Sequence, residues 1–235
     1  MSIKENFPID KWDFKSQSIL AGLPKEDAEL LTLHQSMQVY KKGEIIFHEG
    51  ASPSGIFYIT TGKVKKYKVD TDGKEHIIYV ANTGELIGYH AILSADRYPD
   101  SAATLEECSI LFIPKEDFLL TLQKSSVLSN RLLKTLSHEF AVLANSLTLF
   151  TQKSVRERFA LQLIVLREKY KVTGHSGLPV EINMSRDDLA SLVGTARENV
   201  VRVLKEFKEL NLVETRGRII IVKDINKLIK IADYR

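Results

Sequence analysis

Short apolar stretches broken by glycines mark the chain from about residue 38 to 114. Seven of the twelve glycines lie between Gly43 and Gly88, and the stretches EIIFHEG, GIFYITTG, KVKKYKV and HIIYVA run between them. Asp72-Gly73, a dipeptide typical of β-hairpin turns, separates the last two. Because glycines at this spacing let the chain reverse repeatedly, we predict a compact antiparallel β-roll or barrel. The segment KEDAELLTLH before it is predicted to form a short helix.

Helical spacing replaces this pattern after Pro114. KEDFLLTLQK is predicted to form one short helix, and Ser125 or Ser126 is placed to cap the long helix that follows. In that long helix six apolar residues recur at intervals of three and four, the a/d spacing of a coiled coil, which favours a dimer interface. A helix packed only on its own domain, the alternative, shows a wider and less strict stripe. The predicted interface residues are Leu133, Leu136, Phe140, Leu143, Leu147 and Phe150.

The last third of the chain contains a second group of helices. VRERFALQLIVLREKY, residues 155–170, is predicted to form a helix, and VTGHSGLPVEIN a loop with a short extended piece. SRDDLASLV and TARENVVRVLKEFKEL are predicted to be two helices that Gly194 separates, each opening with a capping pattern. Two short helices joined by a tight turn at a glycine form a helix-turn-helix. The predicted capping pairs are Ser185 with Asp188 and Thr195 with Glu198.

The segment after these helices completes the predicted fold. LVETRGRIIIV is predicted to form a two-strand hairpin, and DINKLIKIA a closing helix capped by Asp224. A helix-turn-helix followed by a hairpin is a winged helix. The predicted fold class is therefore α+β: an N-terminal double-stranded β-helix (a β-roll or jelly-roll), a long dimerisation helix and a C-terminal winged helix-turn-helix. The predicted domain bounds are 1–125, 126–152 and 153–235.

Composition limits the classes of protein that fit this pattern. Of 235 residues, 44% are hydrophobic and 27% charged, as expected for a globular protein with a core. No stretch approaches the ~18–20 apolar residues of a membrane span, and the N-terminus MSIKENFPIDKWDF is too polar for a secretory signal. One cysteine, Cys108, excludes an internal disulfide and a cysteine-based metal cluster. These features predict a protein of the reducing cytoplasm with no membrane partner.

Charge is distributed unevenly along the chain. Residues 153–235 hold 17 Lys and Arg against 11 Asp and Glu, a net charge of +6, whereas residues 1–152 hold 16 against 19, a net charge of −3. An acidic first part and a basic second part indicate two domains, of which only the second faces a polyanion. Chance is the alternative explanation of an excess of this size.

The second helix of the helix-turn-helix presents polar side chains on one face. At 100° per residue, Arg197, Glu198 and Arg202 lie on one side near the helix N-terminus, opposite the apolar residues of the helix. A recognition helix contacts base edges there, because arginine binds guanine O6 and N7 and glutamate accepts from cytosine N4. Alternatively, Glu198 only caps its own helix and the arginines are solvated or salt-bridged. The other candidate DNA-binding residues are Ser185, Arg186, Thr195 and Asn199, of which Ser185 and Arg186 are placed to contact phosphates.

The segment SRDDLASLVGTARENVVRVLKEFKELNLVETRGRIIIV resembles the C-terminal domain of the CRP/FNR superfamily of bacterial regulators. The order of β-roll, long helix and winged helix is similar too, and the resemblance covers about residues 25–232. It implies a homodimer that binds double-stranded DNA, contacts RNA polymerase and reads TGTGA-like half-sites through Arg197, Glu198 and Arg202. Arg197 makes these readers similar to those of the cyclic-AMP receptor branch, since the fumarate–nitrate branch lacks the first arginine.

The same resemblance places an effector pocket in the β-roll, a cyclic-nucleotide-binding-like sensor domain. The cyclic-AMP receptor supplies a glutamate for the ribose and an Arg-Ser pair for the phosphate after a glycine turn that Gly84 and Gly88 retain here. In this chain Tyr89 replaces that glutamate and Asp100 replaces the arginine, so a carboxylate would repel the phosphate. Binding of cyclic AMP by the usual contacts is therefore not expected. The candidate pocket residues are Gly88, Tyr89, His90, Arg97, Asp100, Ser101 and Leu143; Arg97 is near enough in sequence to reach the pocket, and Leu143 aligns with a threonine that meets the adenine.

Other cofactors of the family are tested against the same residues. An iron–sulfur cluster held by several cysteines is incompatible with one cysteine. His90 falls where a haem-binding branch of the family has its iron ligand, but a packed or surface histidine is the favoured explanation. The six histidines include no pair at i and i+4 of the metal-binding kind. No cofactor or metal is predicted, and the effector, if there is one, stays unidentified.

Three functional classes are compared on this basis. A DNA-binding transcription regulator accounts for the polar helix face and the basic second domain. A β-roll ligand-binding or adaptor protein whose helical tail pairs with protein partners is the second hypothesis. An enzyme is the third, and the sequence contains no nucleophile elbow, Walker loop, dinucleotide fingerprint or zinc-protease motif. The regulator is therefore the prediction.

Overall fold

The computed structural model of the chain describes residues 6–171 and 179–233. Its internal contacts divide the chain into two units. The first unit is residues 14–141, and the second combines the described residues before 14 with those after 141. These bounds differ from the predicted ones: the beginning of the chain groups with the C-terminal unit, and the long helix contributes to both units.

The first unit is an antiparallel β-roll of two four-stranded sheets, with strand orders β1-β8-β3-β6 and β2-β7-β4-β5. This confirms the predicted β-rich domain over residues 38–114. Two short helices precede it, α1 (Gln17–Leu20) and α2 (Lys25–Leu31), and α3 (Tyr89–Leu93) follows the sixth strand. The strands are β1 (Ser36–Tyr40), β2 (Ile45–Phe47), β3 (Gly55–Thr61), β4 (Val64–Val69), β5 (Glu75–Ala81), β6 (Leu86–Ile87), β7 (Ser101–Thr104) and β8 (Cys108–Pro114).

Apolar side chains of the two sheets meet in the interior of the roll. Phe47 of β2 stacks on Tyr98 with 4.1 Å between ring centroids, and Phe57 of β3 lies 5.6 Å from Phe47. Cys108 is fully buried in this core, and burial raises the pKa of its thiol to about 11. A thiol that stays protonated at neutral pH is a poor nucleophile and a poor metal ligand. The Cys108 side chain therefore serves packing.

The turn between β4 and β5 shows why this sequence forms a hairpin. Gly73 adopts the left-handed conformation, with φ of +79°, which costs a residue without Cβ little. The Asp70 carboxylate accepts hydrogen bonds from the amides of Asp72 and Lys74, and the Asp70 amide donates to the Lys74 carbonyl at 3.0 Å. The hairpin predicted at Asp72-Gly73 is confirmed.

Two helices follow the roll, α4 (Lys115–Lys124) and the 27-residue α5 (Ser126–Gln152). Ser125 caps α5, because its hydroxyl accepts from the Leu128 amide at 3.0 Å and also bonds Asp27. One face of α5 is buried within the chain at four- and three-residue spacing. This buried seam consists of Leu128, Leu132, Thr135, Glu139 and Val142.

A second apolar seam runs along α5 on another face. Its residues are largely exposed in the single chain: Phe140 is 75% exposed and Leu147 is 70% exposed. Leu136 is half-buried and packs against the core of the roll. Of the six residues predicted as the dimer interface, five are exposed on this seam, namely Leu133, Phe140, Leu143, Leu147 and Phe150, and Leu136 is the half-buried sixth.

The second unit contains the winged helix, as predicted. Its sheet has the antiparallel order β10-β11-β9, and the first helix begins with a capping box between Ser154 and Glu157. Residues 172–178 of the predicted loop lie outside the described residues. The elements are α6 (Val155–Lys169), β9 (Glu181–Asn183), α7 (Arg186–Val193), α8 (Arg197–Glu209), β10 (Val213–Arg216), β11 (Ile219–Val222) and α9 (Ile225–Ala232), the last capped by Asp224.

The start of the chain contributes buried residues to this unit. Phe7, Ile9 and Trp12 are almost fully buried. Asp13 pairs with Lys169 of α6 at 2.9 Å, and both side chains are nearly inaccessible. A charge this deeply buried is tolerated because its partner compensates it. Within the described ranges, no helix is long and apolar enough to cross a membrane.

Candidate DNA-binding surface and sensor pocket

The turn of the helix-turn-helix is fixed at both sides of Gly194. Ser185 caps α7 by accepting from the Asp188 amide at 2.9 Å, as predicted. Gly194 ends α7 in the left-handed conformation, with φ of +68°. Arg158 of α6 donates to the carbonyls of Val193 and Gly194 at 3.0 and 3.2 Å, and these two hydrogen bonds fix the turn to α6. The sequence pattern does not single out Arg158, because its partners are backbone atoms 35 and 36 residues away.

The apolar side of α8 docks the helix on its own unit. Val200, Val203, Leu204 and Phe207 are buried, and Phe207 stacks on Phe159 of α6 with ring centroids 5.8 Å apart. This burial sets the rotation of the helix, so the opposite face points to solvent. That face presents Arg197, Glu198, Val201 and Arg202, all exposed, as the spacing predicts.

The predicted capping box at Thr195 and Glu198 is wrong. Helix α8 begins at Arg197, its N-cap is Ala196, and no side chain in the described unit bonds at this cap. Thr195 lies one residue too early to cap, and its hydroxyl accepts from the Asn199 side-chain amide at 3.0 Å instead. Glu198 is exposed and takes no part in a cap, so its carboxylate is available to another partner.

Side-chain contacts orient the two arginines of this face differently. Arg202 donates to the side-chain oxygen Oδ1 of Asn199 at 3.0 Å, which completes a short chain of hydrogen bonds from Thr195 through Asn199 to Arg202. Arg197 Nε lies 3.7 Å from Asp187 Oδ1, and both side chains are more than half exposed. An exposed pair at this distance contributes little and is readily exchanged for another anion.

Arg186 does not point freely to solvent. Its guanidinium donates to the carbonyls of Gly217 at 2.9 Å and Arg218 at 3.2 Å in the wing turn between β10 and β11. The arginine therefore joins the start of α7 to the wing, while Arg218 itself is exposed at the tip. The hydroxyl of Ser185 is already used in the helix cap. The backbone at the N-terminus of α7 is therefore the group there that can bind a phosphate.

The sensor pocket residues of the first unit begin at Gly88, which precedes α3 with φ of +86°. The backbone conformation favours glycine here, and a Cβ at this position would lie in tight contact, 3.3 Å, with the Phe57 ring. Tyr89 is fully buried and donates to Glu139 Oε1 at 2.6 Å. His90 Nε2 lies 2.7 Å from Glu139 Oε2, and ligation of haem iron through Nε2 would break this contact.

Two further predicted pocket residues lie at the start of β7. Asp100 pairs with Lys66 of β4 at 2.9 Å, and both side chains are close to nine-tenths buried. The Ser101 hydroxyl accepts from the Glu49 amide at 2.9 Å. Among the described residues, Asp100 Oδ1 and His90 Nδ1 are buried without a hydrogen-bond partner.

The remaining predicted pocket residues are placed elsewhere. Arg97 is exposed and donates to the Gly50 carbonyl at 2.8 Å, and Leu143 lies on the exposed seam of α5. Glu139, which the sequence pattern does not identify, contacts both Tyr89 and His90. In the described residues no group of three His, Cys, Asp or Glu side chains could hold a metal ion.

Burial and neighbouring charges keep Tyr89 protonated and Glu139 ionised in their hydrogen bond. Burial raises the pKa of Glu139, but hydrogen bonds from His90 and Tyr89 and the charges of His90 and Lys66 outweigh it, so the pKa of Glu139 is lowered. Burial and the Glu139 charge raise the pKa of Tyr89 far above its usual range. At neutral pH a neutral phenol therefore donates to a charged carboxylate.

Comparison with known proteins assigns both units. Residues 37–125 match the cyclic nucleotide-binding domain, and residues 157–231 match the Crp-like helix-turn-helix domain. The transcriptional activator protein FnrA of Stutzerimonas stutzeri is 30% identical over 188 residues, which cover 78% of this chain and 75% of that protein. The chain belongs to the CRP/FNR family of transcription regulators. The family assignment establishes the fold and makes the chain a DNA-binding transcription regulator. Members of this family are not enzymes.

Two more proteins show how far the likeness in sequence and in fold extends. The cyclic AMP receptor protein of Thermus thermophilus is 25% identical over 218 residues, covering 93% of this chain and 98% of that protein. The structure of FixK2 from Bradyrhizobium japonicum superposes with a TM-score of 0.74 at 20% identity, covering 84% of this chain and 96% of that one. The particular likeness of the base readers to the cyclic-AMP receptor branch rests on Arg197 and stays a prediction.

Proposed function

We propose that this CRP/FNR regulator binds an inverted repeat in DNA as a homodimer, with α8 of each copy in the major groove of one half-site. The observation that carries the proposal is the exposed face formed by Arg197, Glu198 and Arg202 on a helix whose opposite side is buried. Arginine bonds guanine O6 and N7, and glutamate accepts from cytosine N4. Because Glu198 is not used in a helix cap, its carboxylate is available for this role.

Neighbouring residues support the same orientation. Asn199 holds the Arg202 side chain, so less conformational entropy is lost when Arg202 meets a base. Arg186 ties the wing turn to the start of α7, so the turn that carries the exposed Arg218 is held against that helix. We assign phosphate contacts to the N-terminal backbone of α7 and to the wing.

The exposed seam of α5 supports the homodimer. Large apolar side chains with a/d spacing are left in solvent by the single chain, including Phe140 and Leu147. A second copy of the same helix is the partner that this spacing fits, because knobs of one helix enter the holes of the other. Two copies present two recognition helices, and this symmetry matches an inverted repeat. RNA polymerase is proposed as a further partner on family resemblance alone.

We do not propose cyclic AMP as the effector. The carboxylate of Asp100 stands where the resemblance expects an arginine, and it is already paired with Lys66. Tyr89 stands where it expects a glutamate, and it is bonded to Glu139. A cyclic phosphate would have to break a buried ion pair and face a carboxylate.

Selection of bound fragments from random DNA tests this function. We expect an inverted repeat whose half-sites are centred about one helical turn apart, ~34 Å, because two symmetric helices enter successive major grooves. A protein that retains fragments without any common motif would be a non-specific binder. One that retains no DNA at low salt, yet captures protein partners, would support the adaptor hypothesis instead.

A further inference from the structure

Charged side chains of the protein itself pair with one another where the resemblance places an effector pocket. We propose that Glu139 of α5 ties the long helix to the roll and thereby displays the dimer seam without any small-molecule effector. Glu139 is then a positioning residue for dimerisation and, through it, for specific DNA binding. This inference rests on the proposed function, because it explains how that function is held in its active state.

Glu139 is the one charged residue in the buried seam of α5. Its side chain is 9% exposed, and both carboxylate oxygens are used: Oε1 accepts from Tyr89 and Oε2 contacts His90. Tyr89 and His90 are consecutive on α3, so the carboxylate is held at two points by one short helix. A buried charge satisfied by specific partners fixes geometry, because every displacement leaves a polar group unpaired.

The Glu139 contacts set the rotation of α5 about its axis. Successive helix residues differ by 100°, so fixing Glu139 against α3 turns the adjacent Phe140 away from it. Phe140 is 75% exposed and belongs to the seam proposed for the dimer. The position of Glu139 therefore determines which apolar side chains a second copy meets.

A second ion pair occupies the pocket beside this one. Lys66 pairs with Asp100, and the charge of Lys66 also contributes to lowering the pKa of Glu139. An anionic ligand would meet two carboxylates, Asp100 and Glu139, whose cationic partner is already engaged. Lys66 is therefore already paired, and the contacts that hold Glu139 are made by the protein's own side chains.

The effector requirement is tested first on the wild-type protein. Purified protein is dialysed extensively, and mass spectrometry of the supernatant after denaturation checks for released small molecules. Affinity for the selected inverted repeat is then measured with cyclic AMP, with the small-molecule fraction of a cell extract, and with neither. We expect affinity to change by less than about twofold. A gain of tenfold or more from either addition would overturn the inference, and would reveal a ligand that fits the unpartnered Asp100 Oδ1 and His90 Nδ1.

The positioning role is tested with Glu139→Leu and Glu139→Gln, against Lys134→Gln on the exposed face of the same helix. For Glu139→Leu we expect the dissociation constant of the dimer, measured by sedimentation, to rise at least about tenfold. Binding to the repeat should weaken as well. Raising the protein concentration should restore that binding with unchanged sequence preference. Glu139→Gln, which still accepts from Tyr89, should be intermediate, and Lys134→Gln should resemble wild type.

Two results separate failure of this inference from failure of the proposed function. Suppose that wild type selects a repeat and that circular dichroism shows Glu139→Leu to be folded. If this variant then dimerises and binds the repeat as tightly as wild type, Glu139 is not a positioning residue. If Glu139→Leu does not fold, Glu139→Gln and Tyr89→Phe decide by the same two measurements. If wild type selects no sequence at all, the proposed DNA-binding function itself fails.

Discussion

Arg186, at the start of α7, has its guanidinium on two consecutive carbonyls of the wing turn. This contact depends on the planar fork of arginine, which reaches two acceptors at once. A lysine keeps the charge but can serve only as a point donor. Substitution of Arg186 by lysine therefore distinguishes a wing-positioning role from the direct phosphate contact that the sequence predicts.

We predict that Arg186→Lys loses most of the affinity that Arg186→Met loses for the selected DNA. The expected loss is on the order of 1–3 kcal/mol, the usual cost of removing hydrogen bonds made by a charged group. Equilibrium titration at fixed salt measures it. Retention of wild-type affinity by Arg186→Lys alone would mean that the side chain contacts a phosphate directly.

Single-residue predictions succeed where the cause is local. The caps at Ser125, Ser185 and Asp224 follow from sequence because each side chain bonds an amide three residues ahead. The cap at Thr195 fails because α8 starts one residue later, at a position where Ala196 fills the N-cap without a side-chain bond. Glu139 could not be predicted because its partners lie 49 and 50 residues away, and a lone glutamate in a helix usually indicates an exposed face.

Among the elements, α5 carries two seams on different faces. One seam is buried within the chain and the other is exposed, with Leu143 almost half exposed. The spacing of three and four predicts the exposed seam, whereas the buried seam, which includes the polar residues Thr135 and Glu139, is not predicted. Which seam faces its own chain depends on the docking of the helix, and that is visible only in the structure.

We predict that Leu143→Asp abolishes the dimer at micromolar protein while the chain remains folded. A carboxylate on each helix would be buried without a partner in the dimer seam, at a cost of several kcal/mol. In the monomer the same carboxylate stays largely in water. Analytical ultracentrifugation provides the measurement, and Thr148→Asp, exposed on the same helix but outside the seam, is the matched control. A persistent dimer in Leu143→Asp would place the interface elsewhere.

At the scale of the whole molecule, the pattern of glycines and the change to helical spacing predict the order of roll, long helix and winged helix. The grouping of the described N-terminal residues with the second unit could not be predicted. It depends on contacts such as Asp13 with Lys169, 156 positions apart in the chain, which no periodicity encodes. The net charge of +6 over residues 153–235 is consistent with the unit that carries α8 facing DNA.

The central claim is that the Arg197 face reads bases and does not merely grip phosphates. The measurement compares wild type and Arg197→Ala on the selected repeat and on random DNA, at two salt concentrations. Lys205→Ala, exposed further along α8, is the control and should not discriminate between the two DNAs.

We predict that Arg197→Ala loses roughly 1–3 kcal/mol per half-site on the repeat and much less on random DNA. Random DNA is bound through phosphates, so its affinity should depend on salt in nearly the same way for both proteins. Equal losses on the two DNAs, together with a salt slope flatter by about one, would contradict the account and assign Arg197 to the backbone.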